Sequence, residues 1–232
     1  MKYVSYSAAD EYNTKETEVQ SMNYLILVNK FEPLTEEFDQ KLCLIDFRGK
    51  RFEKQTAKAL GSMLDDAMKE NQFIQVVSGY RSADYQQMLW EREISKLMGE
   101  GLDYRSAVGT TGKTLALPHC SEHETGLAAD LAVEGEDDVS ESFAKSSQSI
   151  WLEKNAHKYG FILRYPRMKE HITGISFEPW HYRYVGAESA SIIKQNGICL
   201  EEFLDFYQDK YLDSTKHPVK YCASPIKSTE NH

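Results

Sequence analysis

The chain has 232 residues, 41% of them hydrophobic, a formal net charge of −9 and a pI near 5.3. That content suits one globular domain with a core and short appendages, and the acidic balance argues against a nucleic-acid partner, which favours a basic surface. No apolar run approaches the roughly 18 residues of a membrane span, and the polar, acidic stretch 1–20 lacks the basic and apolar regions of a signal peptide. The expectation is a cytoplasmic protein, neither secreted nor anchored. The four cysteines, Cys43, Cys120, Cys199 and Cys222, form no CxxC pair. A structural zinc ribbon is therefore not expected, and the thiols are expected to be reduced.

In chain order, residues 1–22 read as a polar leader, 23–213 as the folded domain and 214–232 as a polar tail. The apolar run Tyr24-Leu25-Ile26-Leu27-Val28 predicts a strand, and the period of Ala57, Leu60, Leu64 and Met68 predicts a helix over 54–70, stopped at Asn71. Phe73-Ile74-Gln75-Val76-Val77 reads as a core strand. A helix follows from Ser82 or Asp84 through Met98, with Tyr85, Leu89 and Ile94 facing inward. Gly99, Gly101, Gly109 and Gly112 punctuate residues 99–118, which predicts a loop-rich insertion. Residues 127–133 read as a strand and 135–149 as an acidic, serine-rich loop. A helix over 150–159 ends at Gly160. Strands over 161–165 and 176–185 and helices over 187–195 and 200–212 complete the chain. Helices and strands alternate without a βαβ rhythm. The fold class expected is α+β, with a small antiparallel sheet carrying the functional site and helices flanking it.

The chemistry is concentrated in two segments. One is Ser121-Glu122-His123-Glu124-Thr125-Gly126-Leu127-Ala128-Ala129-Asp130, and the other is Glu178-Pro179-Trp180-His181. Together they offer two imidazoles, a carboxylate ligand and a spare glutamate. That is the inventory of a catalytic zinc centre with three protein ligands, an open position and a base. A tight turn at Gly126 followed by an extended segment can return Asp130 to His123. Glu178 is not on a helix, because Pro179 disfavours helix at the residue before it, so this is not an HExxH site. A bend or bulge there would bring Glu178 and His181 to one side, with Trp180 packed behind. Taken singly, His123 reads as a structural histidine, Glu178 as a surface carboxylate and Trp180 as a core aromatic. His119 falls outside the ligand set, and Cys120 is weighed as a fourth ligand against the commoner bystander thiol. Arg81, after Ser78-Gly79-Tyr80, reads either as a surface ion pair or as a cation for a carboxylate or developing oxyanion.

These segments resemble the VanY-type D-alanyl-D-alanine carboxypeptidases, within the zinc peptidase group that also holds lysostaphin-like enzymes and the hedgehog signalling domain. The resemblance rests on Ser78-Gly79-Tyr80-Arg81-Ser82 with Gln86, then Ser121-x-His123-x-x-Gly126-x-x-x-Asp130, then Glu178-x-Trp180-His181-x-Arg183-Tyr184-Val185-Gly186. It covers roughly residues 70–190. It implies Zn2+ on His123, Asp130 and His181, Glu178 as general base and Arg81 as electrophilic assistant. It further implies that Ser121 and Gln86 hold the substrate's C-terminal carboxylate, with Trp180 at the site wall. Each of these positions is filled by the expected residue type.

With no anchor read from the sequence, the resemblance leans to the soluble VanXY-type relatives. These hydrolyse D-Ala-D-Ala and trim peptidoglycan pentapeptide precursors, which supports resistance to glycopeptides such as vancomycin. The alternatives are a monofunctional VanY-type carboxypeptidase lacking its anchor, a peptidoglycan endopeptidase, or a zinc-stabilised binding module. The implied partners are D-Ala-D-Ala and precursor peptides, with no nucleic acid and no membrane span. The residues alone leave D versus L selectivity and oligomeric state open.

Overall fold

A computed structural model describes residues 24–35, 38 and 42–212. The expected leader and the polar tail lie outside the described residues. The architecture is α+β with antiparallel sheets, as the sequence predicts. A hairpin of β1 (Leu44–Phe47) and β2 (Lys50–Glu53) leads into helix α1 (Lys54–Lys69). Then come β3 (Ile74–Ser78), α2 (Ala83–Gly99) and α3 (Tyr104–Thr111). A single buried 3₁₀ turn, Glu122–Thr125, precedes β4 (Ala128–Val133). Helix α4 (Ser147–Asn155), β5 (Phe161–Leu163), the one-turn α5 (Glu170–Thr173), β6 (His181–Tyr184), α6 (Ala187–Asn196) and α7 (Leu200–Leu212) follow.

The main sheet has the order β3-β4-β6-β5, antiparallel throughout. Its central pair explains how distant motifs meet. Asp130 on β4 lies opposite His181 on β6 and, on its other side, opposite Ser78 at the end of β3. Directly opposed residues project to the same face of a sheet, so this register alone brings residues 51 positions apart into contact.

Helix α1 packs on the sheet through Ala57, Leu60, Met63, Leu64 and Ala67, which join Val76, Leu131 and Phe161 in the core. Met68, expected inward, is exposed. Its neighbour Ala67 takes the inward position, since one residue advances 100° around a helix. Glu53 caps α1 by accepting from Thr56 N, and Ser82 caps α2 by accepting from Tyr85 N.

Other expectations need correction. Tyr24–Val28 forms no strand; the carbonyls of Tyr24 and Ile26 accept from Arg183 instead of from a neighbouring strand. On α2 the buried stripe is Gln86, Trp90 and Ile94, and Tyr85 faces outward. Residues 99–118 are not a bare loop, because Asp103 caps α3 and Ala107 packs on Trp90 and Ile94. Phe143 anchors a short 3₁₀ turn inside the expected 135–149 loop, and α4 begins at Ser147. The strand expected over 176–185 shrinks to four residues, since 178–181 is a turn.

Candidate metal and catalytic site

Every residue from Ser121 to Asp130 is buried. The 3₁₀ turn is closed locally: Thr125 Oγ1 donates to Glu122 O at 2.6 Å and accepts from Leu127 N at 3.0 Å. Gly126 then reverses the chain at φ +71°, in the left-handed region that favours glycine. A Cβ there would lie 2.8 Å from Glu53 N, which donates to Gly126 O at 3.0 Å. Glycine is thus required for conformation and for space. The reversal sends Asp130 back along β4 to His123, whose Nε2 lies 3.1 Å from Asp130 Oδ2. His123 Nδ1 donates to Gly79 O at 2.8 Å, which fixes the tautomer and leaves Nε2 free to bind a cation.

On the other side, Asp130 Oδ1 is 3.1 Å from His181 Nδ1. One ligand atom from each of His123, Asp130 and His181 falls within 4.8 Å of the others, and all three residues are buried. Glu178 joins them through a turn rather than a bulge: His181 N donates to Glu178 O at 3.2 Å. This reversal places Glu178 Oε2 3.8 Å from His181 Nδ1.

The electrostatics describe a site prepared for positive charge. Burial drives the Glu178 carboxyl up to about 8, and the charge of Asp130 adds to it, against the pull of His181 and Arg81. Burial would depress His181, but hydrogen bonds to Asp130 and Glu122 overcome this and push it up to about 9. Asp130 is held well below the usual carboxylate range. Burial opposes that, and His123 and Arg81 outweigh it. His123 is lowered by burial and by Arg81. A proton on His181 between carboxylates occupies the place that a cation can take. The donor set of two imidazoles and one carboxylate, with a further carboxylate nearby, fits zinc.

Arg81 donates from Nη2 to Asp130 Oδ2 at 2.6 Å and from Nε to Ser78 Oγ at 3.0 Å. It is neither a surface ion pair nor free of the triad. Ser121, Gln86 and Trp180 line the same cavity, of about 150 Å³. Gln86 Nε2 donates to Ala116 O at 2.7 Å, while its buried Oε1 has no hydrogen-bond partner among the described residues. Its unpartnered atom is therefore an acceptor, which suits a substrate N–H better than a carboxylate. His119 and Cys120 stand apart. His119 turns at φ +64° with its N–H on Glu124, and Cys120 belongs to no ligand cluster among the described residues.

The sequence reading missed Glu122. Its carboxylate takes two fully buried arginines, Arg164 and Arg183, and reaches His181 from behind. The available signal was the placement of those arginines among apolar and aromatic neighbours, Arg164 directly after Phe161-Ile162-Leu163 of β5 and Arg183 between Tyr182 and Tyr184 of β6. A charge in a buried strand demands a buried partner.

A buried His/Asp/His triad with a second carboxylate one turn away is a candidate metal centre on an antiparallel sheet, with the donor types of hydrolytic zinc sites. Comparison with known proteins narrows this further. Residues 49–187 match the model of the VanY family, described as D-alanyl-D-alanine carboxypeptidase, and the chain belongs to that family. It is 36% identical over 191 residues to the bifunctional D-Ala-D-Ala dipeptidase and D-Ala-D-Ala carboxypeptidase VanXYC of Enterococcus gallinarum, covering 80% of this chain and 95% of that protein. Among solved structures, a point mutant of the vancomycin resistance D,D-pentapeptidase VanY from a VanB-type resistance cassette, in complex with Zn(II), superposes with a TM-score of 0.71 at 34% identity. That likeness covers 78% of this chain and 99% of the other. The LdcB LD-carboxypeptidase superposes with a TM-score of 0.67 at 37% identity, covering 80% and 87%. Against two further carboxypeptidase relatives, from Bacillus subtilis and Enterococcus faecalis, 39% and 35% identical, the chain spans 67% and 65% of their length. Among the described residues no helix is long and apolar enough to cross a membrane.

Proposed function

We propose that this protein is a zinc-dependent D,D-carboxypeptidase that releases the terminal D-alanine from peptidoglycan precursor peptides. We propose also that it hydrolyses free D-Ala-D-Ala, so that both activities lower the cell's content of glycopeptide targets. The observation that carries the reading is Glu178, buried beside the His/Asp/His triad with its carboxyl oxygen 3.8 Å from His181 Nδ1. Burial of a carboxyl at such a site poises it for proton transfer near neutral pH.

Zinc held by His123 Nε2, Asp130 and His181 Nδ1 would supply Lewis-acid polarisation of the carbonyl and a more acidic water. Glu178 takes the proton of the attacking water and returns it to the amine of the departing D-alanine. Arg81, fixed by Ser78 and Asp130, presents its remaining guanidinium N–H groups to the developing oxyanion. Ser121 donates to the terminal carboxylate, and Gln86 Oε1 accepts a substrate N–H. Trp180 forms the wall. The reading therefore assigns Gln86 a different contact from the one its family likeness implies.

Peptide length is favoured by a groove of about 730 Å³ that shares Arg81, Asp130 and Trp180 with the site cavity and is lined further along by Arg51, Tyr80 and Arg92. It offers room for residues upstream of the scissile bond. The dipeptidase activity is supported by the likeness to VanXYC. The test is D-alanine release by zinc-loaded and chelated protein from three substrates: a pentapeptide ending D-Ala-D-Ala, a tetrapeptide ending L-Lys-D-Ala, and free D-Ala-D-Ala. Chelator-sensitive cleavage of the pentapeptide and the free dipeptide is expected. Cleavage of the pentapeptide without the dipeptide would remove the second activity, and a preference for the tetrapeptide would overturn the D,D assignment.

A further inference from the structure

The ion cluster behind His181 takes part in no step above. Glu122 Oε1 accepts from Arg164 Nε at 2.6 Å and from Arg183 Nη1 at 2.7 Å, and the side chains of all three residues are fully buried. Arg164 forks with its other nitrogens onto Glu201 of α7, at 2.9 and 2.7 Å. Arg183 Nη2 donates to Tyr24 O and Ile26 O, at 3.0 and 2.8 Å. Two guanidinium groups thus take Oε1 and leave Oε2, which faces His181 Nε2 at 3.4 Å.

A neutral imidazole carries one proton, and the nitrogen that binds a metal must be bare. In His181 the nitrogen turned to Asp130 is Nδ1. The proton then belongs on Nε2, where Glu122 Oε2 is its acceptor among the described residues. The two histidines are oriented by different means: His123 by the backbone carbonyl of Gly79, His181 by a carboxylate. A buried ion cluster is a poor device for stability alone, since apolar residues of similar volume often serve as well or better. Orientation of His181 is the role that this geometry explains.

We propose that Glu122 is a positioning residue. Its Oε2 accepts the Nε2–H of His181 and holds the ring with Nδ1 bare toward Asp130, and Arg164 and Arg183 clamp the carboxylate in that pose. The proposal rests on the metal reading of the site.

The test compares Glu122→Gln with Glu201→Gln. Zinc affinity is measured by chelator competition, and the cobalt(II)-loaded proteins are compared by visible absorption. Loss of a partner behind a ligand histidine is expected to weaken zinc binding in Glu122→Gln by about 10- to 100-fold and to shift the cobalt bands. Glu201→Gln breaks the outer fork on Arg164 without touching His181. It is expected to lower Tm while keeping zinc affinity and the cobalt spectrum of the wild type. Unchanged zinc affinity in folded Glu122→Gln would overturn the role, as would equal losses in both variants.

A measurement on the unaltered protein keeps the test open if Glu122→Gln fails to fold. Nitrogen NMR of the zinc-loaded protein, labelled at histidine, is expected to show Nε2 protonated and Nδ1 metal-bound at His181. The reverse assignment overturns the role of Glu122 alone. A wild-type protein that takes up no zinc overturns this role and the proposed function together.

Discussion

At the scale of single residues, the site stands out for stored negative charge. Glu178 holds its proton to about pH 8 in the folded, metal-free protein, against an ordinary value of 4.5. Between those values the native state keeps a proton that the unfolded chain has released, so stability falls as pH rises from about 4.5 to about 8. Glu178→Gln removes that liability. The metal-free variant is expected to gain in Tm over metal-free wild type across this window and to match it near pH 4; parallel curves would place Glu178 in a solvated setting. His181 behaves in the complementary way, with its proton held to about pH 9 by Asp130 and Glu122. Zinc must displace that proton. Calorimetry at pH 7 in buffers of different ionisation heat is therefore expected to show at least about one proton released per zinc bound; buffer-independent heats would contradict the ligand role of His181. The ligand candidates themselves were legible, because their residue types and spacing are distinctive. Glu122 was not, since its role depends on two arginines 42 and 61 positions away that only the folded sheet brings to it.

At the scale of elements, the register of β4 against β6 and the turns flanking it do most of the positioning. Gly126 is the sharpest case. Gly126→Ala places a Cβ in the left-handed region, at about 1–2 kcal/mol, and adds a 2.8 Å approach to Glu53 N. A clear fall in Tm and a loss of zinc affinity are expected; a neutral substitution would show that the turn has slack. The sequence foretold the long elements well. Helices α1, α2, α6 and α7 fall within a residue or two of their expected bounds. It failed where local and tertiary signals part. The glycines of 99–118 suggested a loop, yet capping by Asp103 and the Trp90–Ala107 contact support a helix. The apolar run at Tyr24 suggested a strand, yet its carbonyls are spent on a buried arginine. At Glu178 the bend that the sequence predicts is present, as a turn that ends where β6 begins.

At the scale of the whole molecule, the chain gathers three motifs, spread over about a hundred residues, onto one face of a four-stranded antiparallel sheet. The fold class was legible from the irregular alternation of elements. The strand order β3-β4-β6-β5 was not, because pairing between sequence-distant strands leaves no local mark. The zinc-loaded enzyme is expected to be more resistant to thermal unfolding than the chelated one, by an amount that grows with free zinc, since the ligand set exists only in the native state. The central claim is hydrolysis by a metal centre with Glu178 as proton carrier. Its most direct test is the rate of D-alanine release from a D-Ala-D-Ala-terminated pentapeptide by wild type and Glu178→Gln, with bound zinc quantified in both samples. Equal zinc content and a rate lower by about 10²- to 10⁴-fold in the variant is the expected result. A variant that holds its zinc and turns over at the wild-type rate would contradict the account.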